Sequence, residues 1–354
     1  MKPVIRNARA AAGLIVILLA GCDNVSFGGA DVAVVPPPPR AADVPDDVVE
    51  GGVEALPASP VLYYVARTAD GAYMTPIGAI AGDSLTPIRS EGDPETFAGR
   101  FVAEFMREGG EFTLFHRGRR AGTFIVHGTS MPEQPACPLL PMATGALELP
   151  PNVAATEFLA LARADAPSVP ARTAPPETTN RMRNVVAPIL AERIIRRRGA
   201  ELPGSWARAN AQVLAFPASN VPDPGFTATF LVGDQLGPGP QGGARAHSVF
   251  YIAVPTRDQT GYDTVYVSHR NYAETGKMAP RVVDYLDWSR DDQPELLLQV
   301  YGQNDMWFEA VGRGSDGSWR RIFSDRCEDG GRRLPAPVQT DGQGGAGGQP
   351  GGGP

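Results

Sequence analysis

Gly82-Asp83-Ser84-Leu85 sets a serine hydroxyl just after a turn-forming pair, and Gly302-Gln303-Asn304-Asp305 sets a side-chain amide in a second such turn. A serine becomes a nucleophile when a histidine, itself oriented by an acid, takes its proton. The chain has four histidines, His116, His127, His247 and His269, scattered along its length. They also lack metal-ligand spacing, no Cys-x-x-Cys occurs, and no glycine-rich loop joins a strand to a helix as phosphate binding requires. Oxygen ligands do alternate at Asp287, Ser289 and Asp291. Asp292 follows, and read alone the stretch is a solvated acidic turn. Of three cysteines, Cys137 and Cys327 form an even pair once Cys22 is set aside, and outside the cytoplasm such a pair is a disulfide candidate. Closing a loop of that length contributes roughly 5 kcal/mol in the chain-entropy model. Arg196, Arg197 and Arg198 precede Gly199, where positive charge meets the negative end of a helix dipole or is free to contact an acidic surface.

Three short stretches resemble known families. Lys2, Arg6 and Arg9 precede the apolar run Ala10–Ala20, which is too short to span a bilayer as a helix, and Leu19-Ala20-Gly21-Cys22 follows. This N-terminus resembles a bacterial lipoprotein precursor with its lipobox. The resemblance implies cleavage before Cys22, acylation of Cys22, and anchoring by more than one chain, since a single chain holds only marginally. Asp23 resembles the residue that retains a lipoprotein in the inner membrane of enteric bacteria; inner and outer membrane both stay open, with the inner favoured. Gly82-Asp83-Ser84-Leu85 with Gly302-x-Asn304-Asp305 is similar to blocks of GDSL esterases. That family implies a serine nucleophile at Ser84, a parallel α/β sheet and a histidine after the asparagine, and the last of these is missing. Residues 281–323 resemble a single unit of the FG-GAP or VCBS type, which implies that the alternating Asp287, Ser289 and Asp291 hold calcium, a hard cation that takes oxygen ligands, although Asp292 stands where that family's turn glycine is expected; with one copy a repeat propeller is unsupported.

The elements that would position these residues follow from composition and pattern. The 354 residues carry 32 basic and 39 acidic side chains, a formal charge of −7. Removing residues 1–21, which hold three bases and no acid, moves that to −10. A general nucleic-acid binder would show the opposite balance. Glycine and proline cluster at joints, giving six segments: a signal peptide over 1–21, the lipidated cysteine and a proline-rich acidic tether over 22–59, an α+β domain over 60–163, a linker over 164–179, a helix and antiparallel β domain over 180–333, and a glycine-rich tail over 334–354. The tether and the tail have the composition of disordered segments.

Within the first domain the pattern predicts a strand at 61–66, a helix from Asp93 as N-cap against which alternation from Phe101 onward offers a strand, a hairpin of 111–115 with 121–126, and a short helix over 152–162. In the second, Met182, Val185, Val186, Ile189 and Leu190 recur at helical spacing, with Pro188 forcing a kink or restart. Eight short β runs follow, and the brief spacings between the last three predict an antiparallel meander, sandwich-like or barrel-like. Tyr251, Tyr262, Tyr266, Tyr272, Trp288, Trp307 and Trp319 read as core before ligand groove. The fold expected is α+β, predominantly antiparallel β. The function expected is a non-enzymatic binding or assembly module of the cell envelope. It would face the periplasm, reach the membrane through its lipid anchor, meet an envelope protein, bind no nucleic acid and need no cofactor unless calcium. A GDSL-like hydrolase and a calcium-stabilised structural domain are the alternatives.

Overall fold

A computed structural model describes residues 56–338 except 91, 133–135, 168–173, 219–222, 240–242, 244, 328–330, 333 and 336. The lipobox, Cys22, Asp23, the tether before Leu56 and the glycine-rich run from Asp341 lie outside the described residues.

The first half is a closed barrel. Its strands are β1 (Val61–Thr68), β2 (Gly71–Ala81), β3 (Ser84–Pro87), β4 (Glu111–His116), β5 (Arg119–Ser130), β6 (Met142–Glu148) and β7 (Glu157–Ala162). The order β1-β7-β4-β5-β6-β2 returns to β1 through a β1–β2 ladder, and β3 hangs on β2. Closure removes the unpaired edges that an open sheet exposes. Alternation then sorts side chains to two faces. Tyr63, Val65, Phe112, Leu114, Phe124, Phe158 and Ala160 fill the interior. Leu62, Tyr64, Phe115, Leu159 and Leu161 point outward into a second apolar cluster.

Helix α1 (Pro94–Phe105) packs Phe97 and Phe101 into the barrel's interior cluster. Asp93 caps it as the sequence predicts, its Oδ2 accepting from Thr96 N at 2.8 Å. The segment 152–162, expected as a helix, is instead loop and strand β7. Both faces of that strand are apolar because one looks into the barrel and the other out onto a second layer.

The second half begins with a π-helical turn (Met182–Val186) running into α2 (Ala187–Arg198). Pro188 has no N–H to give the preceding turn, and its ring crowds the carbonyl four residues back. The ladder accordingly widens at this point, and the Arg183 carbonyl accepts instead from Asn210 Nδ2 at 3.1 Å. After α3 (Trp206–Ala209) come two four-stranded antiparallel sheets. One contains β8 (Asn210–Phe216), β9 (Gly225–Val232), β10 (His247–Pro255) and β11 (Tyr262–Asn271); the short α4 (Tyr272–Thr275) leads to the other, of β12 (Ala279–Leu286), β13 (Glu295–Tyr301), β14 (Met306–Arg313) and β15 (Trp319–Ser324). The meander and its turns match expectation, with Gly302 N bonded to Asp305 O at 2.9 Å and Gly314 N to Ser318 O at 2.8 Å.

The layers stack in a fixed order. Met182, Leu190, Ile194 and Ile195 cover one face of the first sheet at Phe226, Phe230, Val249 and Tyr251. The opposite face, with Phe250 and Ile252, meets Leu296, Leu298, Val300 and Trp307 of the second sheet. The far side of that sheet, with Leu297 and Phe308, packs on the outward barrel residues. Helix, sheet, sheet and barrel form one compact unit. The Cys137–Cys327 disulfide is formed, with its Cα atoms 6.0 Å apart, and joins the loop after β5 to the segment after β15.

Candidate functional site

Ser84 opens β3 directly after the Gly82-Asp83 turn, with Ala81 as its ladder partner. The turn is tied across to β15 by Asp83 and Arg320, Oδ2 to Nη2 at 3.3 Å. Asn304 lies in the β13–β14 turn. Every ladder among the described strands is antiparallel. The parallel sheet that positions a GDSL nucleophile is therefore not the scaffold here, and Ser84 and Asn304 sit in two separate hairpins.

The acidic loop between β12 and β13 gathers Asp287, Asp291 and Glu295, each offering an oxygen within 4.8 Å of the others. Asp287 shapes the loop: Oδ1 accepts from Asp291 N and Oδ2 from Asp292 N, both at 3.0 Å. Arg290 and Asp292 take left-handed backbone at φ 64° and 65°, so the aspartate adopts the conformation a glycine would have supplied. Ser289 Oγ is buried beside the Glu295 carboxylate, whose charged form it favours. Glu295, which begins β13, is buried and accepts from Trp288 N at 2.9 Å. Burial pushes its carboxyl up to about 8. Burial also raises Asp287, against the loop N–H groups that lower it. Three carboxylates at this spacing suit a hard divalent cation. Two of them were visible as alternating residues; Glu295 was hidden in a strand pattern, its only signal the four-residue step from Asp291.

A different surface runs along the π-helical turn and α2. A groove of about 590 Å³ has Met182, Val185, Val186, Ile189 and Leu190 on its helical side. Pro224, Pro255 and Tyr262 supply the facing wall, with Arg181, Arg193 and Asp223 among its polar lining. That wall, at the β10–β11 hairpin and the start of β9, is held in shape: Tyr262 donates to Pro224 O at 3.3 Å, while Asp258 accepts from Thr256 Oγ1 at 2.6 Å and Thr260 N at 3.2 Å. Val185 and Ile189, expected on the helix's packed face, are 50% and 55% exposed. The widened turn around Pro188 shifts the apolar stripe, so Met182, Leu190, Ile194 and Ile195 take the sheet and Val185 and Ile189 face outward.

Arg196, Arg197 and Arg198 all stand exposed in the last turn of α2, ahead of Gly199 in left-handed conformation at φ 65°. Only Arg196 has an acid on the same helix, pairing with Glu192 at 2.8 Å. Of the aromatic residues, Tyr251, Tyr272, Trp288 and Trp307 are core, and Tyr262 contributes to the groove. Sequence reasoning missed Arg181 and Arg193, which the four-residue spacing with Val185 and Ile189 would have revealed. No helix among the described residues is long and apolar enough to cross a membrane. No family model, curated protein or solved structure matches this chain.

Proposed function

We propose that this chain is a lipid-anchored, non-enzymatic binding module of a bacterial cell envelope, held through acylated Cys22 and facing the periplasm. The observation that carries the binding part is the open groove beside Val185 and Ile189. Its lining of aliphatic side chains, two prolines, one tyrosine and two arginines offers apolar contact and charge, the chemistry of recognition surfaces. The support for anchoring is the ordered succession of Lys2, Arg6 and Arg9, an apolar run and Leu19-Ala20-Gly21-Cys22. The disulfide joining Cys137 to Cys327 agrees with an oxidising compartment.

The test places a photoreactive amino acid at Ile189 and irradiates cells carrying either the natural N-terminus or Cys22→Ala. A discrete adduct, to lipid or to one protein, that forms with the natural N-terminus and weakens with Cys22→Ala is the expected result. Absence of any adduct at position 189, with adducts forming from a probe at exposed Arg100 on α1, would refute the groove as the binding face.

A further inference from the structure

The geometry points to an anionic phospholipid surface as what the helix bearing the groove touches; this rests on the binding-module reading and names its partner. Arg181, Val185, Ile189 and Arg193 all line the groove along the helical segment. All four are exposed. Val185 and Ile189 are two of the three large hydrophobic residues exposed among the described residues, so apolar surface is concentrated here. Arg183, Arg197 and Arg198 extend the positive charge along the same segment, where Glu192 is the single acid and is paired with Arg196. A chain of net charge −7 thus presents a strongly basic helix.

Two branched aliphatic side chains flanked by arginines match the pattern of a helix lying in a membrane interface. The apolar groups enter the headgroup boundary while guanidinium groups meet phosphates in pairs of hydrogen bonds. Each arginine near an anionic surface contributes about 1 kcal/mol. The stripe runs over roughly 20 Å of helix at 1.5 Å per residue. It offers charge and apolar area without a polar pattern shaped to one acidic side chain, which suits a fluid array of phosphates better than an acidic protein.

The test is flotation of the full mature chain carrying Cys22→Ala, so that no acyl anchor contributes. Vesicles of phosphatidylcholine alone are compared with vesicles containing one-third phosphatidylglycerol. Binding is expected only to the anionic vesicles and is expected to fall with added salt. Arg193→Gln with Arg197→Gln should weaken partitioning roughly thirty-fold, the product of two contacts of about 1 kcal/mol each. Val185→Ser with Ile189→Ser should weaken it as well, while Arg89→Gln with Arg100→Gln, also exposed but on the barrel half, should leave it unchanged. Melting curves of the exposed-site variants confirm that folding is intact. Equal binding to both vesicle types, equal loss in the barrel-side control, or no flotation at all would each overturn the inference. If flotation fails while the probe at Ile189 captures a protein, the lipid partner is wrong and the binding module stands; if that probe also captures nothing, both fall.

Discussion

Glu295 is 3% exposed and lies beside two carboxylates of the preceding loop. Unfolded, a glutamate ionises near 4.5; in the fold burial holds the proton on up to about 8. Between those values the unfolded chain has released a proton that the folded chain keeps, so the carboxyl costs stability progressively as pH rises from about 4.5 to about 8. Glu295→Gln keeps an acceptor for the Trp288 N–H and cannot ionise. It is expected to remove that loss, leaving the variant more stable than the parent by a few kcal/mol at about pH 9. Melting curves across pH, with EGTA present so that no divalent ion neutralises the carboxylates, check this. A parent curve as flat as the variant's would show that Glu295 folds already ionised. The sequence displayed Asp287, Ser289 and Asp291 because loop alternation is local. It concealed Glu295, because only the packing of β13 between two layers decides that a glutamate at a strand start is buried.

At the level of elements, the meander from β8 to β15 was legible because its apolar runs are short, β-rich and separated by turn residues. The segment at β7 was not: Glu-Phe-Leu-Ala-Leu-Ala carries helix-forming residues, and a strand buried on both faces loses the alternation that identifies it. Helix α2 was placed correctly, yet its faces were misassigned, since a periodicity count assumes regular turns and Pro188 forces a π-helical one. Two glycines separate local conformation from packing. Gly199 ends α2 at φ 65°, its N–H reaching Arg196 O at 3.1 Å, and open space surrounds the position where a Cβ would stand. Gly199→Ala therefore carries conformational strain alone, an expected loss of about 1 kcal/mol. A Cβ at Gly145 in β6 would lie 2.0 Å from the Ile125 carbonyl oxygen of β5. Gly145→Ala must push the two barrel strands apart, and a loss of roughly 3 kcal/mol is expected. Denaturant unfolding of the two variants side by side measures the contrast; equal losses would mean that the barrel yields at no cost.

Across the whole molecule, the join between barrel and sandwich combines an apolar cluster with buried polar clasps. Arg281 of β12 pairs with Glu157 of β7, which Tyr64 also contacts. Asp284 of β12 accepts from the Arg117 N–H of the β4–β5 turn at 2.8 and 2.9 Å. Arg332 donates from Nε to Asp325 at 2.8 Å and from Nη1 to Thr75 of the barrel at 2.9 Å, with its guanidinium 5.3 Å from the Phe308 ring. Both members of the Arg332–Asp325 pair are buried. Nothing in the sequence announced these pairs, because their partners lie far apart along the chain and meet only when the layers stack. Removing one partner of a buried pair leaves an uncompensated charge and costs about 3–5 kcal/mol, whereas replacing both with neutral groups of similar size costs much less. Arg332→Met is thus expected to destabilise severely. Asp325→Asn, which still accepts from Phe308 N, should do so in proportion to the guanidinium it strands. The double variant should lose less than the two single losses combined, the mark of two groups that stabilise each other. Unfolding measured with the Cys137–Cys327 bridge intact isolates this contact from the crosslink beside it. Strict additivity would show that Arg332 and Asp325 do not stabilise each other, with the arginine acting through its contacts to Thr75 and Phe308.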